Sequence, residues 1–159
     1  MISLTIHLIN NLKLVLYKYY IIDERVQYAQ INWDASYTPP NWGSPDKLLI
    51  RIFKVNNKTN SRQKLIEAIT KIKEALVQMK VPNPRRVYVN VFRSENGEDI
   101  SLVYPFKSYK RFENSNGLPP NFTAEYDKIN GTGSFRTDVG DVIQMYSEGW
   151  YDEVRVLMK

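Results

Sequence analysis

Two runs of alternating apolar residues, 86–93 and 98–106, flank the dipeptide Asn96-Gly97, and no other feature constrains the chain as much. Alternation at a period of two is the pattern of a half-buried strand. Asn-Gly supplies the positive backbone angles that a two-residue hairpin turn needs, so the stretch predicts a β-hairpin. On its first strand Val87, Val89 and Val91 share one face, and Tyr88, Asn90 and Phe92 share the other. A two-residue turn sets Glu95 against Glu98, Val91 against Leu102 and Val89 against Tyr104, which gathers Ile100, Leu102 and Tyr104 on the valine face. Phe92 then opposes Ser101, Asn90 opposes Val103 and Tyr88 opposes Pro105. A slip of one residue would exchange the two faces.

The hairpin is preceded by a helix and, before that, by another strand. Over residues 62–80, Leu65, Ile69, Ile72, Leu76 and Met79 recur at helical spacing, with Ile66 and Ala68 widening the stripe. Ser61 is a candidate N-cap, and Pro82 and Pro84 stop the helix. Residues 48–55 read as a strand with Leu48, Ile50 and Ile52 on one face and Leu49, Arg51, Phe53 and Val55 on the other. After the hairpin come a short helix over 106–113, a helical turn or two over 121–129, and a helix over 134–146 striped by Phe135, Val139, Val142, Ile143 and Tyr146. Residues 150–158 form the last strand. The order is βαββαβ, which folds naturally as an α+β, ferredoxin-like domain: a four-stranded antiparallel sheet with the helices on one face. The faces expected under the helices are Leu48/Ile50/Ile52, Val87/Val89/Val91, Ile100/Leu102/Tyr104 and Val154/Val156/Met158. The opposite face then carries Arg51, Phe53, Tyr88, Asn90, Phe92, Val103, Glu153, Arg155 and Leu157, with Arg51 in reach of Glu153. So much apolar surface on one face is the mark of an interface or a ligand site.

Residues 1–47 divide from this body, 48–159, as an N-terminal extension and linker. The first twenty are rich in Ile and Leu, but Asn10, Asn11, Lys13 and Lys18 interrupt them. Asp23, Glu24 and Arg25 stand where a signal-peptide cleavage region is small and neutral. No apolar run reaches the length of a membrane span. Alternation at Leu4, Ile6, Leu8 and again at Leu12, Leu14, Leu16 suits an appended hairpin. Residues 31–47 are a linker by their prolines, with Trp33, Tyr37 and Trp42 as aromatics to pack over the body or to rim a pocket. The default compartment is the cytoplasm, with the periplasm or export as the alternative if residues 1–29 are a degenerate signal.

Composition removes several chemistries. There is no cysteine, which excludes disulfides, thiolate metal sites and cysteine nucleophiles. A single histidine, His7, argues against a multi-histidine metal site or a Ser-His-Asp triad. The net charge of +5 over 159 residues is spread along the chain without a basic run. Asn130-Gly131-Thr132-Gly133 lacks the Gly-Lys-Ser/Thr ending of a phosphate loop and does not follow a strand.

The strand at 48–55, the helix at 62–80, the hairpin at 86–106 and the terminal Trp150-Tyr-Asp-Glu-Val-Arg-Val156 together resemble the dimeric α+β barrel superfamily. That group includes the antibiotic-biosynthesis monooxygenases, haem-degrading monooxygenases and NIPSNAP-like proteins. The passage Leu102-Val-Tyr-Pro-Phe-Lys-Ser-Tyr-Lys-Arg-Phe112 is similar to their strand-to-helix crossing. The resemblance covers residues 48–159 and implies a homodimer whose sheets face each other with the helices outside. A small apolar or aromatic ligand would sit between them, lined by Arg51, Phe53, Tyr88, Asn90, Phe92 and Arg155, with Trp150 and Trp42 at the rim. It further implies either a cofactor-independent monooxygenase or a non-catalytic, structural or stress-associated dimer. No metal or cofactor is expected, since the body has no histidine to hold haem iron. Acid–base work would fall to Tyr88, Asp152 or Glu153. A nucleic-acid partner ranks below these: RNA-recognition domains share the βαββαβ order and stack bases on sheet aromatics, but residues 99–106 lack their Lys/Arg-Gly-Phe/Tyr signature.

Overall fold

The computed structural model describes residues 29–40, 42–43, 47–91, 98–112 and 117–156. Five strands and three helices build it. They are β1 (Ala29–Ile31), β2 (Lys47–Val55), α1 (Ser61–Gln78), β3 (Arg86–Asn90), β4 (Glu98–Phe106), a 3-10 turn (Tyr109–Phe112), α2 (Phe122–Asn130), a π-turn (Arg136–Gly140) leading into α3 (Asp141–Tyr146), and β5 (Ser147–Val156). The strands form one sheet in the order β1-β3-β4-β2-β5, every neighbour antiparallel. This is an α+β fold compatible with a ferredoxin-like one. The sheet has five strands rather than the expected four, because Ala29–Ile31 adds a short strand outside β3, pairing Ala29 with Asn90 and Ile31 with Tyr88.

The main core lies between the sheet and α1. Leu65 and Ile69 of the helix pack on Leu49, Phe53, Val55, Val87, Val89, Ile100, Leu102, Tyr104 and Phe106, and Ile143 and Tyr146 close it from α3. A second cluster joins the outer end of α1 (Ile72, Ala75, Leu76) to Tyr37, Val81, Phe122, Tyr126 and Val139. The Val87/Val89 and Ile100/Leu102/Tyr104 faces therefore bury under the helices as the alternation predicts, but Val91, expected with them, lies past the end of β3 and is 50% exposed.

The faces of β2 are reversed from expectation. Leu49, Phe53 and Val55 point at α1, whereas Ile50 and Ile52 join Val103, Leu48 and Tyr88 on the far side. Because β2 lies between β4 and β5 it is buried on both faces, and a strand that is aliphatic on both sides carries no alternation to orient it. Arg51 made its own face look wet. It is instead buried and paired with Asp152, its direct neighbour on β5, by two hydrogen bonds of 2.8 Å from Nε and Nη2. Glu153, the partner expected for Arg51, is held by Arg155 at 2.7 Å.

The hairpin register also differs. Val87, not Val91, opposes Leu102, and Val89 opposes Ile100. The four-residue shift is even, so every side chain keeps its face. β3 ends at Asn90, and the connection from it to β4 is longer than a two-residue turn; Phe92, Asn96 and Gly97 lie outside the described residues, as do residues 1–28 and the hairpin expected there. On β5, Val154 pairs with Leu49 and Val156 with Lys47, so both sit on the helix side as expected. Yet they are 49% and 54% exposed, because an edge strand lies beyond the helix layer.

The linker aromatics divide. Tyr37 packs into the second cluster, exchanges backbone hydrogen bonds of 2.8 Å with Arg85 in both directions, and its hydroxyl donates to the Val81 carbonyl at 2.6 Å. Trp33 is exposed and Trp42 half-buried.

Candidate ligand-binding face and the arginines behind it

Direct cross-strand partners share a face, so the registers define the side of the sheet that has no described helix. Across β3, β4, β2 and β5 the rows are Tyr88–Ser101–Ile52–Tyr151, then Arg86–Val103–Ile50–Glu153, then Pro105–Leu48–Arg155. At the centre Ile50, Ile52 and Val103 pack together, with Leu48 and Tyr88 against them. Around this aliphatic centre stand polar groups: Asn90 one step along β3, and the Glu153–Arg155 ion pair on β5. Asn90 is buried, and its backbone carbonyl accepts from Arg62 Nη2 at 3.3 Å.

Of the residues expected to line one site, the structure places Tyr88, Asn90 and Arg155 on this face. It sets Arg51 and Phe53 on the opposite one, within the core beneath the helices, and Phe92 lies outside the described residues. Trp150, expected as a rim, pairs with Phe53 on the helix side, where its ring lies 4.2 Å from the Arg51 guanidinium carbon. Ile50, Ile52 and Leu48 were missed for this face, since β2 is aliphatic on both sides and buried Arg51 outweighed exposed Lys54 as a guide to its orientation.

The second finding that the sequence hides is a set of arginines around Tyr104, two buried and one half-buried. Arg51, Arg85 and Arg111 all approach it. Arg85 is fully buried, donates from Nη2 to the Ile69 carbonyl at 2.8 Å, and interacts electrostatically with Tyr104. Its Nε has no partner. Arg111 donates to the carbonyls of Pro105, Pro84 and Gly117 at 2.8, 3.1 and 3.3 Å, and stacks 5.4 Å from the Tyr104 ring centre. Desolvation pulls the guanidinium pKa of both below the ordinary arginine value, for Arg111 to about 10. Arg51 moves the other way, its charged form held chiefly by the hydrogen bonds to Asp152. Arg85 and Arg111 serve as structural staples, donating to helix, strand and loop carbonyls from buried or half-buried guanidinium groups.

A cleft of about 280 Å³ opens elsewhere, where β2 runs into α1, lined by residues 55–58, 60–62 and Glu98. Lys58 and Asn56 in it are committed to the Met145 carbonyl, at 3.1 and 2.8 Å. Among the described residues no group of three or more His, Asp or Glu side chains is placed to hold a metal ion, and no helix is long and apolar enough to cross a membrane.

Fold and face together define a small α+β protein whose antiparallel sheet is covered by helices on one side and is aliphatic at the centre of the other. Comparison with protein-family models, with curated proteins and with solved structures gives no match to this chain.

Proposed function

We propose that the chain is a small binding protein of ferredoxin-like build. It takes an apolar or aromatic molecule against the helix-free face of its sheet, and that face closes by sheet-to-sheet pairing of two copies, as in the dimeric α+β barrels. One observation carries this reading: the cluster of Ile50, Ile52 and Val103, flanked by Leu48 and Tyr88, on the face without a described helix. Ile50, Ile52 and Val103 are themselves only 7%, 4% and 9% exposed, so an apolar partner would meet this centre at its half-buried and exposed rim, Leu48, Tyr88 and Tyr151. The order β3-β4-β2-β5, with α1 between β2 and β3 in sequence, supports the ferredoxin-like arrangement.

Binding is favoured over turnover. Of the acid–base candidates, Asp152 is engaged by Arg51 on the other face and Glu153 by Arg155. That leaves Tyr88, beside the aliphatic centre, to contact a ligand or, if the protein is a cofactor-independent oxygenase, to hold a substrate for deprotonation.

Light scattering on a sizing column and titration with an environment-sensitive apolar dye test the reading. The expected result is a mass of at least twice 18.7 kDa and saturable dye binding. Tyr88→Glu should abolish the binding, while Val77→Glu on the exposed side of α1 leaves it unchanged. A monomer that binds no dye, or dye binding that Tyr88→Glu does not weaken, overturns it.

A further inference from the structure

The outer edge of β5 is where the described sheet is unfinished. β5 is ten residues long and ends the strand order, with β2 on its inner side and no described strand on its outer side. The opposite end of the sheet is closed differently: β1 is only three residues, a short edge of the kind that resists further pairing. Every second residue of β5 turns its N–H and C=O away from β2, so along its outer side runs a ladder with no partner among the described strands. Among its mixed side chains, apolar ones are exposed on both faces, with Trp150, Val154 and Val156 toward the helices and Tyr151 away from them. A long edge strand with exposed apolar side chains is a template for another strand.

We infer that β5 pairs with β5 of a second copy, antiparallel about a two-fold axis at Val154. The charges select this occupant and this register. Centred on Val154, the pairing sets Val154 against its own copy and Glu153 against Arg155 of the second chain, twice over. The acid and base that now pair within one strand at 2.7 Å become two cross-strand opposite-charge pairs. Each partner residue keeps the parity of its mate, so the register works whichever set of backbone groups points outward, and side chains meet on the same face. Asp152 does not oppose it, since Arg51 neutralises that carboxylate from within. The contact uses the same patch on both copies and consumes the one long edge left unpaired among the described strands, so it closes at two chains instead of growing into a filament. The result joins the five described strands of each copy into one continuous sheet with both helix layers on one side. The pairing uses the edge of the sheet and not the proposed binding face, so the two readings are independent.

Charge reversal tests the pairing on the full chain. Glu153→Arg and Arg155→Glu each put like charges across the axis, and each should halve the mass seen by light scattering; the double variant E153R/R155E restores opposite charges and should restore it. In the cysteine-free chain, Val154→Cys should crosslink to a dimer on mild oxidation, because the two residues oppose each other. Tyr88→Cys, on the binding face, reports sheet-to-sheet contact separately. A wild-type monomer overturns the edge pairing, and so does a dimer indifferent to both single reversals. A dimer that crosslinks in the Tyr88→Cys variant but not in the Val154→Cys variant overturns it too, while supporting the sheet-to-sheet reading.

Discussion

At Arg51 a charge is buried in a strand of leucines and isoleucines because its partner is built into the neighbouring strand. Asp152 stands directly across, accepts two hydrogen bonds, and the Trp150 ring covers the guanidinium. The pair is worth less than the penalty for breaking it, since a lone buried guanidinium keeps its desolvation cost. Asp152→Ala should lower unfolding free energy by about 2 kcal/mol, between the values for surface and fully buried pairs. The double variant with Arg51→Met should recover part of that loss in a urea-denaturation cycle; a double variant as unstable as the sum of the two singles would show that the charges are not coupled. Gly117 is a second residue whose identity is fixed by geometry. Its φ is +81°, and a Cβ there would meet two Tyr104 ring carbons at 3.0 Å and a Phe112 carbon at 3.1 Å. Strain and overpacking add, so Gly117→Ala should cost about 2–4 kcal/mol, read as a lowered denaturation midpoint.

At the scale of elements, what could be read from the sequence follows period. α1 and the valine and leucine faces of the hairpin were legible because each shows a single apolar side. The 134–146 helix was legible too, although its middle turns, Arg136–Gly140, widen to a π-turn that no side-chain spacing announces. β2 was legible as a strand but not as an oriented one, since both of its sides are aliphatic and Arg51, the charged residue at its centre, is paired inside. That reversal took Arg51 and Phe53 off the face where Tyr88, Asn90 and Arg155 remain. β1 was not legible: three residues, Ala29-Gln30-Ile31, form a strand because β3 offers them an edge, not through their own pattern. The segment that follows is fixed by Tyr37, whose hydroxyl and backbone tie it to Val81 and Arg85. Tyr37→Phe leaves the Val81 carbonyl without that donor and should cost about 1–2 kcal/mol. Hydrogen exchange should then speed first at the Tyr37 and Arg85 amides, whose mutual bonds lie at the margin of the sheet. Unchanged protection there would mean that packing alone holds the segment.

For the whole molecule, the buried phenols set an alkaline limit. Burial raises the pKa of Tyr37 above the ordinary 10.0, and raises that of Tyr126 further, with the carboxylate of Asp138, to which its hydroxyl donates at 3.2 Å, as a lesser contributor. Both groups hold their protons in the folded state at a pH where the unfolded chain releases them. The unfolded state then binds fewer protons, so the slope of unfolding free energy with pH is negative. The stabilisation is fully present below about pH 10, the unfolded value, and is lost as pH rises from there through the folded values. Each phenol should therefore add up to one proton to the pH slope above pH 10, about 1.4 kcal/mol per pH unit at its limit. Tyr126→Phe removes the hydrogen bond, so the variant should be less stable at neutral pH by about 1 kcal/mol. It should also lose stability less steeply above pH 10, and the two curves should converge as pH rises. Urea denaturation of both proteins from pH 7 to pH 11 measures this directly. Parallel curves through pH 11 would place the alkaline loss elsewhere, in the neutralisation of lysines that give the chain its net charge of +5.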